Sequence, residues 1–181
     1  MGGAKKSNAA SASTAKRIVI YGALTLMLGC AQCAFFPTLK ICPATPDLVL
    51  GMLLAIALLD SPRCAAVCSI CAGAFIDALG GSPLAISPIV YLLFTLIISA
   101  FSGKVLKSFF SYVLLLIPAL IYRAAATYLC FSLHIGALAP LWSLEEIILP
   151  EAVCTAILTL PVYFIVKLCL KPIDDRGRFN F

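Results

Sequence analysis

Long runs of apolar residues, separated by short polar breaks, make up most of this chain of 181 residues. The breaks contain Pro, Gly, Ser and Asp, residue types that end helices and form turns. Each run is long enough to form a helix, and a helix needs about 20 apolar residues to cross a membrane. The pattern predicts an all-α polytopic membrane protein with a six-helix transmembrane bundle, whose helices cover residues 18–36, 48–59, 64–79, 88–101, 109–133 and 150–170.

The composition excludes a soluble globular protein. Hydrophobic residues make up 62% of the chain and charged residues 12%, whereas soluble domains carry about 25% charged residues. Six membrane helices use nearly all of the sequence, so no room remains for a soluble catalytic domain. We expect residues 1–15 to form a disordered polar tail, residues 16–172 the transmembrane domain and residues 173–181 a short cytoplasmic tail.

The basic residues predict the orientation in the membrane. Six crossings place both termini on one side, and nearly all of the 13 Lys and Arg residues then lie on that side. Because cytoplasmic loops carry an excess of Lys and Arg, both termini are predicted to be cytoplasmic. The basic residues form no stripe with interleaved aromatic side chains, so the net charge of +5 indicates contact with membrane lipid and no nucleic-acid partner.

Two ionisable residues, Asp77 and Arg123, lie within the apolar runs. A charge at the centre of a bilayer needs a partner or water. At about 1.5 Å per residue, both residues lie at a similar depth, roughly 20 Å from the cytoplasmic ends of their helices. We expect a structural intramembrane ion pair between them. Two alternatives remain open: Asp77 caps the turn that follows it, or it binds a proton or substrate in a transporter.

Small residues recur at every fourth position of the third apolar run and share one helix face. This spacing lets two helices approach closely in lipid. The face therefore contacts either another helix of this chain or a partner protein, and it is formed by Ala65, Ser69, Gly73 and Asp77. The run ends at a turn motif, which consists of Gly80, Gly81 and Pro83.

The sequence lacks the motifs of an enzyme, metal protein or cofactor-binding protein. The chain has 9 cysteines, and all but Cys42 lie in or beside the apolar runs. Two pairs have the C-x-x-C spacing, but the single histidine, His134, is far from both pairs in the sequence. We expect the cysteines to pack as small apolar residues. There is no phosphate-binding Gly-rich loop and no G-x-S-x-G motif, so no catalytic residue, metal or cofactor is predicted.

Residues 46–90 resemble the bacterial rod-shape-determining membrane protein family MreD. The shared pattern is a proline and a polar residue before an apolar helix, a short basic turn, a glycine-rich helix ending in aspartate, and a Gly/Ser turn. The matching positions are Pro46-Asp47, Pro62-Arg63, Gly73, Asp77, Gly80-Gly81 and Pro83-Leu84. The chain departs from the family at Ala85, where glycine is common.

The resemblance implies a fold similar to the six-helix substrate-binding subunits of energy-coupling-factor transporters. It also implies a non-catalytic scaffold of the cell-elongation complex in the bacterial cytoplasmic membrane, which supports rod shape and lateral peptidoglycan synthesis. The implied partners are an MreC-type single-span scaffold protein, an MreB-type bacterial actin, and a peptidoglycan glycosyltransferase and transpeptidase. The alternative is a substrate-binding subunit of a vitamin or metal transporter, with polar and aromatic residues converging near Asp77, Ser82, Arg123, Trp142 and Glu145.

Overall fold

A computed structural model describes residues 2–39, 45–80, 86–102, 108–135 and 149–178. Every regular element in these ranges is a helix, which confirms the prediction of an all-α protein. The first helix continues through a π-helical turn, Ala31–Phe35, into a short α-helical segment of one turn. The α-helices are α1 (Gly2–Cys30), α2 (Phe36–Leu39), α3 (Leu48–Leu59), α4 (Pro62–Gly80), α5 (Ser87–Ser102), α6 (Phe109–Ile135) and α7 (Leu149–Arg178).

Four of these helices are long and apolar enough to cross a membrane, which is typical of a multi-pass membrane protein. Their apolar windows are Lys16–Ala34, Pro62–Gly80, Phe109–Cys130 and Leu149–Leu170. The apolar helices α3 and α5 are shorter, with 12 and 16 residues. At about 1.5 Å per residue, α3 is only about 18 Å long, well short of the roughly 30 Å hydrocarbon core of a bilayer.

The short helix α3 forms the centre of the bundle. Every residue from Leu48 to Leu58 is buried, and α3 contacts α1, α4, α5, α6 and α7. A helix that is apolar all round is expected in such a position. The surrounding helices instead expose large apolar side chains, for example Ile121 on α6 and Leu168 on α7. The protein therefore has the apolar exterior that a lipid environment requires.

The small-residue face of α4 packs against α5 of the same chain. Ala65, Ser69, Gly73 and Asp77 are all buried. A Cβ atom at Gly73 would lie 2.5 Å from the nitrogen of Pro88, so only glycine lets the two helices approach this closely. The hydroxyl of Thr95 donates a hydrogen bond of 3.1 Å to Ser69 Oγ.

The predicted tails are part of the terminal helices in this structure. Residues 2–15 belong to α1, and α7 extends to Arg178. Whether residues 1–15 are disordered away from the bundle stays a prediction. In the predicted turn motif, Gly80 is the last residue of α4, whereas Gly81 and Pro83 lie outside the described residues.

Candidate functional site

Asp47 stands at the N-terminus of the central helix and is completely buried. Its side chain caps α3, because Oδ1 accepts a hydrogen bond of 2.9 Å from the backbone N–H of Leu50. The hydroxyl of Tyr91 donates to both carboxylate oxygens, at 3.0 Å to Oδ1 and 2.8 Å to Oδ2. Both oxygens are thus used by donors from α3 itself and from α5.

Arg123 brings the positive charge to this buried carboxylate. Its Nε atom lies 3.0 Å from Asp47 Oδ2 and 3.2 Å from Glu151 Oε1. The Arg123 side chain is 26% exposed and that of Glu151 is 11% exposed. Two carboxylates, one at the end of α3 and one at the start of α7, therefore share a single guanidinium group from α6.

Neutral polar groups complete the site. The backbone N–H of Asp47 donates to Thr155 Oγ1 at 2.9 Å, and that of Val49 donates to Gln32 Oε1 at 3.3 Å. Gln32 belongs to the π-helical turn after α1. Such turns are frequent at functional sites. We call this group the Asp47 cluster, which consists of Gln32, Asp47, Tyr91, Arg123, Glu151 and Thr155.

The predicted ion pair between Asp77 and Arg123 is wrong. Asp77 Oδ2 instead accepts a hydrogen bond of 3.1 Å from the backbone N–H of Ser87, the first residue of α5. Two residues at the same depth in a bundle can still lie on helix faces that point to different neighbours. Asp77 faces α5, whereas Arg123 reaches across to the end of α3. Asp77 therefore caps the start of α5, whereas the alternative from the sequence was a cap of the turn directly after α4, which lies outside the described residues.

The other end of α3 repeats the arrangement at smaller scale. Asp60 follows the last residue of α3, and its side chain is only 4% exposed. It forms an ion pair with Arg17 and accepts a hydrogen bond from the hydroxyl of Tyr21, both on α1. We call these three residues the Asp60 cluster. Each end of the central helix therefore has one aspartate, held by one arginine and one tyrosine from neighbouring helices.

A small cleft opens beside Arg123 between α6 and α7. Its enclosed part measures about 10 Å³, which is room for about one water-sized group, and it opens to the surface. Charged and polar side chains meet small apolar ones in its lining, which is formed by Leu120, Arg123, Ala124, Glu151, Ala152 and Thr155.

Several residues that the sequence singles out do not contribute to this site. The eight cysteines in the described ranges are free thiols, and the same ranges contain no group of three His, Cys, Asp or Glu residues that is suited to a metal. Ser82, Trp142 and Glu145 lie outside the described residues, as do Cys42 and the side chain of His134.

The sequence contains a pattern that marks two members of the Asp47 cluster as residues at helix N-termini. An aspartate directly before an apolar run is the usual N-cap pattern, and it marks Asp47. Glu151 lies in the first turn of α7, where an acidic residue is common because it interacts well with the helix dipole. No sequence pattern indicates that either carboxylate forms an ion pair with Arg123.

Comparison with known proteins identifies no matching family model, no similar curated protein and no similar solved structure.

Proposed function

We propose that this chain is a non-catalytic scaffold of the bacterial cell-elongation complex. In this proposal it lies in the cytoplasmic membrane with six crossings and both termini in the cytoplasm. It supports rod shape and lateral peptidoglycan synthesis by binding an MreC-type single-span protein, through which it is linked to an MreB-type actin and to a peptidoglycan glycosyltransferase and transpeptidase.

The observation that carries the proposal is the position of the residues that resemble the MreD family. Asp47 caps α3 and pairs with Arg123. Gly73 lets α4 approach the backbone of Pro88, and Asp77 binds the first N–H of α5. The shared pattern is therefore one of helix packing rather than of reactive groups, and a bundle with fixed packing is what a scaffold needs to present constant surfaces.

The test is a depletion experiment in the source bacterium, with complementation by variants. Depletion should convert rods to spheres, and the wild-type gene should restore rods. A Gly73→Leu variant, which separates α4 from α5, should fail to restore shape. Gly22→Leu should succeed, because in the described part of the chain a Cβ at Gly22 would contact nothing beyond its own helical backbone. Both proteins must be found in the membrane at similar levels. Normal rods after depletion would refute the scaffold role.

The second candidate, a substrate-binding subunit of an energy-coupling-factor-type transporter, is favoured by one observation. The cleft beside Arg123 and Glu151 combines charged groups with apolar walls, as ligand sites commonly do. Mass spectrometry of the purified protein distinguishes the two candidates. A stoichiometric vitamin would refute the scaffold proposal. Co-purification with a single-span coiled-coil protein, and with no vitamin, would refute the transporter.

A further inference from the structure

The Asp47 cluster has one more negative charge than positive. Asp47 and Glu151 are carboxylates, and Arg123 is their shared cation. The oxygens of Asp47 accept hydrogen bonds from Leu50 and Tyr91, and Arg123 adds its ion pair. Glu151 Oε1 accepts from Arg123, whereas its Oε2 has no hydrogen-bond partner in the part of the chain that the structure describes. The uncompensated charge therefore lies on Glu151.

Glu151 directs this charge into the cleft between α6 and α7. Thr155 lies one helical turn further along α7 and lines the same cleft, and its hydroxyl oxygen accepts from the backbone N–H of Asp47. Leu120, Ala124 and Ala152 supply apolar walls. A primary ammonium group suits this lining, because it has three N–H donors and no acceptor, and the carbon that bears it needs an apolar contact.

Arg123 offers a complementary site in the same cleft. Both of its contacts with carboxylates are made through Nε, and a guanidinium has five N–H donors in all. The donors on its terminal nitrogens are suited to a phosphate, which guanidinium groups bind in a bidentate manner. Glu151 can thus accept hydrogen bonds from an ammonium group, and Arg123 beside it can donate hydrogen bonds to a phosphate.

The position of the cleft points to a lipid as the source of these groups. Glu151 is two residues from Leu149, where the apolar window of α7 begins. At about 1.5 Å per residue, its Cα lies only about 3 Å inside the end of that membrane span. The lipid headgroups lie at this level. The enclosed part of the cleft has room for about one water-sized group, which suits an ammonium, and its linker and phosphate would lie at the open mouth beside the partly exposed Arg123.

We propose that this cleft binds the headgroup of an amine-bearing phospholipid, with its ammonium on Glu151 and its phosphate on Arg123. The bound ammonium supplies the charge that the cluster lacks. The proposal requires that the chain lies in a membrane, but it does not depend on the scaffold role, and the two can fail separately.

The experiment measures lipid retention by native mass spectrometry of the full chain. The protein is exchanged into mixed micelles with equal amounts of phosphatidylethanolamine, phosphatidylcholine and phosphatidylglycerol of identical acyl chains. The wild type should retain phosphatidylethanolamine about tenfold better than the other two, since a charge-assisted hydrogen bond contributes about that factor. Equal retention of the three lipids would overturn the proposal, because phosphatidylcholine has no N–H donor and phosphatidylglycerol has no cation.

Three variants test which residues cause the preference for phosphatidylethanolamine. Glu151→Gln should retain the three lipids about equally. Asp77→Asn, which alters another buried carboxylate that accepts from Ser87 in α5, should retain the full preference. Ala152→Leu fills the cleft without changing a charge and should also abolish the preference, and circular dichroism must show that each variant keeps its helical content. Full preference in both Glu151→Gln and Ala152→Leu would overturn the assignment.

A final measurement separates the lipid from a free amine. Free ethanolamine is added to delipidated protein, and the unfolding temperature is recorded. No stabilisation is expected at millimolar concentration, because the phosphate and the acyl chains are missing. Stabilisation equal to that by phosphatidylethanolamine would overturn the lipid assignment in favour of a site for small amines.

Discussion

Replacement of Gly73 by alanine tests the packing of α4 against α5. The added methyl carbon would lie 2.5 Å from the nitrogen of Pro88 and 2.7 Å from the carbonyl carbon of Ser87. These are backbone atoms, so they cannot rotate away as a flexible side chain would. The two helices must move apart, and overpacking of this kind costs about 1–3 kcal/mol.

The separation also affects two hydrogen bonds between the same helices. The bond from Ser87 to Asp77 and the bond from Thr95 to Ser69 are both 3.1 Å long. A typical intramolecular hydrogen bond contributes about 0.5–1.5 kcal/mol to stability. If the helices separate enough to lengthen either bond, the loss adds to the steric cost.

Gly22→Ala is the matched control for this experiment. Alanine stabilises a helix relative to glycine by about 1 kcal/mol, and this gain applies to both variants. Among the described residues, a Cβ at Gly22 would contact nothing beyond its own helical backbone, so the gain is unopposed there. The difference between the two variants therefore isolates the steric term at Gly73, which should be at least about 1 kcal/mol.

The assay is unfolding of the purified protein in mixed micelles by increasing sodium dodecyl sulfate, followed by circular dichroism. Gly73→Ala should unfold at a lower fraction of the denaturing detergent than the wild type, and Gly22→Ala at the same or a higher fraction. Equal midpoints for the two variants would show that α4 and α5 are not in close backbone contact, and the packing argument would be refuted.

Three further predictions use the same protein. Tyr112→Phe should cost about 0.5–1.5 kcal/mol, because the hydroxyl donates to Thr159 O at 3.0 Å. Tyr163→Phe should cost nothing, because that buried hydroxyl has no hydrogen-bond partner among the residues that the structure describes; equal losses in detergent unfolding would contradict this. Arg123→Met should destabilise the bundle more than Glu151→Gln, because it leaves two carboxylates without their cation; the reverse order of unfolding midpoints would contradict it. Green fluorescent protein fused to the C-terminus should fluoresce and alkaline phosphatase fused there should be inactive, as a cytoplasmic terminus requires; an active phosphatase would contradict the orientation.

The apolar pattern predicted the helices well. The run at residues 48–59 corresponds to α3 at the same bounds, and the run at residues 88–101 differs from α5 by one residue at each end. The agreement has a simple cause. In lipid the backbone must satisfy its own hydrogen bonds, so an apolar run between turn residues has little choice but to form a helix.

The arrangement of the helices was harder to predict. Position along a helix gives the depth of Arg123, but it does not say which neighbour lies beside it. The partner is Asp47, a residue that the sequence places in the loop before a helix rather than inside a span. One available signal was the length of the run at residues 48–59, because apolar stretches of about 10–14 residues are more often buried core helices than membrane spans.

The length of α3 also explains why charges are buried at both of its ends. A helix of about 18 Å at the centre of a bundle of longer helices has both of its ends buried among them. Its first N–H groups then lack water, so Asp47 supplies an acceptor, and the buried carboxylate needs the cation of Arg123. At the other end Asp60 lies close to the negative end of the helix dipole, which is unfavourable for an acid. Arg17 and Tyr21 compensate it. Both clusters therefore follow from one feature, a central helix that is shorter than its neighbours and ends inside the bundle.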